Sequence, residues 1–140
     1  MPNDPRRLAV ADLTARLSAG LARQARVYEA AAERAGGPLR QVLEGLGRAK
    51  YTQAADLAPL ARAFEVVLTP TDPLETRAES SPDWGVILGE AYQGERALEG
   101  AARELAGLTT DTAIRALALR LATGTGRDGG EVRKLYLRYS

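Results

Sequence analysis

Apolar residues recur along this 140-residue chain at steps of three and four, in runs separated by glycine and proline. That spacing reads as four amphipathic helices. The first opens at Asp4-Pro5, a capping residue followed by proline in the first turn, and its apolar face carries Leu13, Leu17, Leu21, Tyr28 and Ala31. Gly36-Gly37-Pro38 closes it and opens the second, since glycine suits a helix end and proline a helix start. So short a link makes the two helices antiparallel neighbours. The second face runs Leu39, Val42, Leu46, Leu57, Leu60 and Phe64. Pro59 falls inside it, so the helix is expected to kink there, or to end and restart.

The helical pattern fades over residues 65 to 81, which hold Pro70 and Pro73. Val66-Val67-Leu68 suits a short extended piece, but one such run cannot build a sheet. The segment reads as an ordered crossover along the bundle. Ser81-Pro82-Asp83 then starts the third helix, with Trp84, Leu88, Ala91, Leu98, Ala102 and Leu105 on its face. Gly107 ends it, and Thr109 or Thr110 is expected to cap the fourth, which shows Ile114, Leu117, Leu121 and Leu135. Gly124, Gly126, Gly129 and Gly130 weaken the middle of that helix, at ~1 kcal/mol each relative to alanine, so it is expected to be continuous but soft. The pattern predicts a single all-α domain over residues 1–140. It is a four-helix bundle with helices at about 5–35, 38–64, 82–107 and 110–138, arranged as two antiparallel hairpins joined by a long crossover.

Composition narrows the chemistry. The chain has no cysteine and no histidine. Thiolate metal sites, cysteine nucleophiles and a Ser-His-Asp triad are thereby excluded, along with the commonest metal ligand and general base. A net charge of +1 provides no strong field for nucleic acid. No run approaches the length and apolarity of a membrane span, and no secretory signal is evident, so a cytoplasmic location is expected.

The informative positions are the polar interruptions of the apolar faces. Steps of three and four from Leu46 place Lys50 and Gln53 on the core side of the second helix. Ala91, Glu95, Leu98 turns Glu95 inward on the third. On the fourth, Leu121, Gly124, Asp128, Glu131, Leu135 turns Asp128 and Glu131 inward. Five polar residues near the middle of three apolar stripes call for one explanation, because a buried charge is costly unless paired or bound to a cation.

In this layout the chain resembles the ferritin-like superfamily, and within it the rubrerythrin-type bundles. That family sets one Glu on each of two helices and a Glu-x-x-His pair on each of the other two, around two metal ions. Glu95 matches a lone carboxylate, and Asp128-Gly-Gly-Glu131 stands where one Glu-x-x-His belongs. Lys50-Tyr-Thr-Gln53 stands at the other, and Leu21, or else Leu17, takes the remaining Glu place. Gln24-Ala-Arg-Val-Tyr28 is similar to the tyrosine-bearing stretch of the family's first helix. Both histidines and two of the four carboxylates are replaced. The resemblance therefore implies a ferritin-like scaffold whose di-iron centre has given way to a polar cluster, with Lys50 paired to Glu95, Asp128 and Glu131.

The expected function is non-catalytic, exercised through surface contacts as a homodimer or with a protein partner, and without metal or other cofactor. The alternative is a metal-binding protein or metal-dependent oxidoreductase using Glu95, Asp128 and Glu131 to hold Mn, Fe or Ca. A small ligand between helices is a third possibility, with Gly20, Gly94 and Gly124 leaving room near the cluster. Gly124-x-Gly126-x-x-Gly129 formally matches a dinucleotide fingerprint, but that fingerprint needs a preceding strand and these flanks are helical. Trp84 and Tyr92 read as packing residues, and Tyr51 as a packed aromatic with a wet hydroxyl. The basic C-terminal stretch from Val132 to Tyr139 suits the negative end of a helix dipole.

Overall fold

The structure, a computed structural model, describes residues 5–64 and 83–140. It is an all-α four-helix bundle of two antiparallel hairpins: α1 (Pro5–Arg34) with α2 (Gly37–Ala63), and α3 (Trp84–Leu108) with α4 (Thr112–Tyr139). The hairpins meet through α1 against α3 and α2 against α4. The crossover expected over residues 65–81, like the cap expected at Asp4, lies outside the described residues. The third helix is capped by Asp83, not Ser81: the Asp83 carboxylate accepts from the Gly85 N–H at 2.8 Å. Among the described residues no helix is long and apolar enough to cross a membrane.

The core falls into two clusters. Val10, Leu13, Leu17 and Leu21 at the start of α1 pack with Leu57 and Leu60 late in α2, Leu98 and Leu105 late in α3, and Leu121 early in α4. At the other end Tyr28 and Ala31 pack with Leu39, Leu43 and Leu46, Ile87 and Leu88, and Val132 and Leu135. Every adjacent helix pair is therefore antiparallel, and α2 ends at the opposite end of the bundle from the start of α3. Each fully buried leucine contributes roughly 1.5–3 kcal/mol, so both ends are firmly apolar. The layer between them is not.

The buried stripe of α2 runs Leu39, Leu43, Leu46, Lys50, Gln53, Leu57, Leu60. Val42, expected inside, is 36% exposed, while its neighbour Leu43 is fully buried. Both obey helical spacing from Leu39, and only packing against the partner helices separates them. Pro59 neither ends nor restarts α2. Ala55, whose carbonyl cannot accept from Pro59, is at an exposed position, open to solvent.

The link between α1 and α2 turns on Gly37, which has φ +58°, a left-handed conformation that costs other residues about 1–2 kcal/mol. Between α3 and α4 the cap is Asp111, not Thr109 or Thr110. Its carboxylate accepts from the N–H groups of Ala113 and Ile114 at 2.8 and 3.1 Å. Thr109 instead closes α3 by donating its N–H to Leu105, and its hydroxyl accepts from the Asp111 N–H at 3.1 Å. Arg115 donates to the carbonyls of Ala106 and Thr109, which the end of α3 leaves open. Through the glycine-rich stretch from Gly124 to Gly130, α4 is continuous.

Candidate functional site

A layer of hydrogen-bonded polar side chains separates the two apolar clusters, and all four helices contribute to it. Lys50 and Glu95 are fully buried, and Asp128, Gln53 and Gln24 nearly so. The Lys50 ammonium donates to Glu95 Oε1 and lies 3.1 Å from Asp128 Oδ2. Tyr28, also fully buried, donates its hydroxyl to Glu95 Oε2. Behind it the Gln24 amide donates to the Tyr28 oxygen at 3.1 Å and to the Ala91 carbonyl at 2.7 Å. On the other side Gln53 Nε2 donates to Asp128 Oδ2 at 3.0 Å, while its Oε1 has no hydrogen-bond partner among the described residues. The exposed Arg127 approaches Asp128 Oδ1 at 3.7 Å.

Local sequence explains why these groups meet. Gln24 and Tyr28 are four apart on the inner face of α1, and Lys50 and Gln53 three apart on that of α2. Glycines let the neighbours close in. A Cβ at Gly124 would stand 3.0 Å from Gln53 Nε2, and one at Gly129 would stand 3.4 Å from the Glu95 Cβ. The Gly124-to-Gly129 spacing therefore belongs to close helix packing inside α4 rather than to a nucleotide-binding turn.

Burial raises the Glu95 carboxyl above the usual carboxylate range, and the Lys50 charge together with the hydrogen bonds from Lys50 and Tyr28 only partly opposes it. Burial, with the negative charge of Glu95 adding to it, pushes the Tyr28 phenol well above its ordinary value. Tyr28 therefore keeps its proton and serves as a donor. Both Glu95 oxygens thus have a donor. The arrangement is suited to holding an ammonium ion among carboxylates, a fully desolvated charge group whose members depend on one another.

Lys50, Gln53, Glu95 and Asp128 are brought together as their spacing predicts. Glu131 is not. It lies on the exposed side of α4, with Lys134 Nζ 3.4 Å from its Oε1. The buried register there is Leu121, Thr125, Asp128, Val132, Leu135, and Val132 takes the inward place that the sequence reading gave to Glu131. Among the described residues no group of three or more metal-ligating side chains converges. Tyr51 is turned away from Lys50, and its exposed hydroxyl donates to Glu29, which raises the phenol's pKa. Trp84 and Tyr92 pack against the Tyr28 end of the core. Gln24 and Tyr28 are the members that sequence reasoning left out of the cluster. Gln24 was nonetheless detectable, as a polar residue three after Leu21 and four before Tyr28 on one stripe.

Comparison of the chain with protein-family models, with curated proteins and with solved structures finds no match.

Proposed function

We propose that this chain is a non-catalytic, ferritin-like bundle in which a lysine–carboxylate cluster replaces the dimetal centre, and that it acts through its surface in the cytoplasm, as a homodimer or with a protein partner. The observation that supports this most directly is the Lys50 ammonium, fully buried between Glu95 and Asp128. It puts a positive charge at the level of the bundle where that fold type gathers cations, and like charge there opposes metal binding. The antiparallel arrangement of every adjacent helix pair is in keeping with the same reading.

Elemental analysis of protein purified without chelator tests it. We expect no stoichiometric iron. Two iron atoms per chain, or ferroxidase activity, would overturn the proposal. A single bound manganese or calcium would favour a carboxylate site instead, for which Glu131 would have to leave Lys134 and turn inward.

The outer face of α3 and α4 is the surface best suited to such contacts. Tyr136 and Leu137 are exposed there, Leu137 by 71%, beside Gly85, Gly89 and Tyr92 along a groove of about 600 Å³. Leu137→Asp replaces the most exposed apolar side chain of that groove with a charge, where the loss of one anchor typically costs ~1–2 kcal/mol or more of association. If the face mediates dimerisation, light scattering will show the mass fall from two chains toward one at micromolar concentration. A dimer unaffected by the substitution would rule this face out.

A further inference from the structure

A groove of about 450 Å³ runs between α1 and α3, within the size range of small-molecule sites. Val27 and Leu98, both almost wholly buried, contribute apolar surface to it, and Gly20, Gly94 and Ala97 keep it open by lacking large side chains. Small residues alone would signify only close helix packing. The second observation is Gln24, which lines the same groove and is 5% exposed. Both hydrogens of its amide are committed, to Tyr28 and to Ala91, so the side chain cannot turn without losing two bonds. Its Oε1 is thereby held toward Gly94, where an added Cβ would stand only 2.1 Å away. That oxygen accepts no hydrogen bond from the described residues. An acceptor on the groove wall that is held rigid from behind is preorganised for a donor entering the groove.

The rim gives the charge. Arg16 and Arg23 stand on the α1 side and Glu90 on the α3 side. Arg16 is engaged by Asp12 at 3.3 Å, whereas Arg23 has no ion pair among the described residues. We propose that this groove binds a small carboxylic acid that carries an O–H or N–H donor on an apolar body. Gln24 Oε1 accepts from the donor, Arg23 pairs with the carboxylate, and the apolar body lies on Val27 and Leu98. The site is separate from the Lys50 cluster but joined to it through Gln24 and Tyr28, and the inference stands apart from any dimetal ancestry.

The test uses the full chain, labelled with ¹⁵N, and 4-hydroxyphenylacetate as the probe. Saturable shifts should centre on the amides of Gly20, Gly94 and Ala97. Phenylacetate, which lacks the donor, should bind roughly tenfold more weakly, because it covers the Gln24 oxygen without giving it a donor. Tyramine, which has the phenol but a positive charge in place of the carboxylate, should not bind. Arg23→Gln should weaken the probe, and Ala97→Leu, which fills the groove from an exposed helical position, should abolish binding while leaving the thermal melt in place. The absence of saturable shifts would overturn the proposal. So would equal affinity for phenylacetate, or undiminished binding to folded Ala97→Leu or Arg23→Gln.

Discussion

Lys50→Ala will destabilise the bundle by ~3–5 kcal/mol at neutral pH and by much less in acid, because it removes one side of a buried charge group and leaves the other in place. Glu95 loses the ammonium on its Oε1, and Asp128 loses its contact at 3.1 Å. The pH dependence follows from the direction of the Glu95 shift. Burial already holds that carboxyl above its ordinary range with Lys50 present. A group whose folded pKa exceeds its unfolded value contributes stability that is fully present below the unfolded pKa and is lost as pH rises through the folded pKa. Without Lys50 the chief opposing influence is gone, so the folded pKa climbs further and the loss at neutral pH deepens. Near pH ~3, below the usual glutamate value of ~4.3, that penalty is absent. The wild-type protein meanwhile keeps a buried ammonium facing a Glu95 carboxyl that has become neutral, which narrows the gap from the other side.

The same argument specifies the rescue. Adding Glu95→Gln and Asp128→Asn to Lys50→Ala should recover part of the stability at neutral pH, since no uncompensated charge then remains. Glu131 need not change, because it lies outside the layer. Urea melts at the two pH values decide the matter. A loss of only ~0.5 kcal/mol, independent of pH, is what an exposed lysine would give, and it would mean that Lys50 escapes to solvent.

How far the sequence discloses this site depends on how sharply helical spacing distinguishes neighbouring positions. On α3 only one series, Leu88, Ala91, Glu95, Leu98, Ala102, Leu105, keeps apolar residues on both sides of the charge, and Glu95 could be assigned without ambiguity. Lys50 and Gln53 were equally legible because Leu46 and Leu57 bracket them. On α4, Leu121 to Leu135 can be spanned through Gly124 and Glu131 or through Thr125 and Val132, and both routes use steps of three and four. Burial selects the second, because it puts Val132 in the core and leaves the Glu131 carboxylate in water. Hydrogen-bond choices are less visible still. Spacing shows that Tyr28 faces inward, but whether its hydroxyl meets a carboxylate depends on how α3 is set along α1, and that offset is a property of the assembled bundle.

Gly94→Ala will destabilise the protein by ~2–3 kcal/mol, although alanine is the better helix former at a mid-helix position. The new Cβ would stand 2.1 Å from Gln24 Oε1 and 2.8 Å from its amide carbon, so the Gln24 side chain has to move. A long side chain usually yields cheaply, but this one is anchored through bonds to Tyr28 and the Ala91 carbonyl, and moving it gives up both. Each lost bond costs ~1 kcal/mol, and more where the donor is left unpaired in a buried place. The Tyr28 hydroxyl also loses the group that fixes it toward Glu95. The sign should reverse once Gln24 is removed. In a Gln24→Ala background the three atoms nearest to the added Cβ are gone, and Gly94→Ala should be neutral or stabilising by up to ~1 kcal/mol through helix propensity. The four proteins form a double-mutant cycle with an expected coupling of about 3 kcal/mol, at the upper end for residues in direct contact. Gly94→Ala that costs the same in both backgrounds would show that the Gln24 amide swings aside freely. The chain of bonds from Ala91 through Gln24 and Tyr28 to Glu95 would then not be what locks α1 against α3.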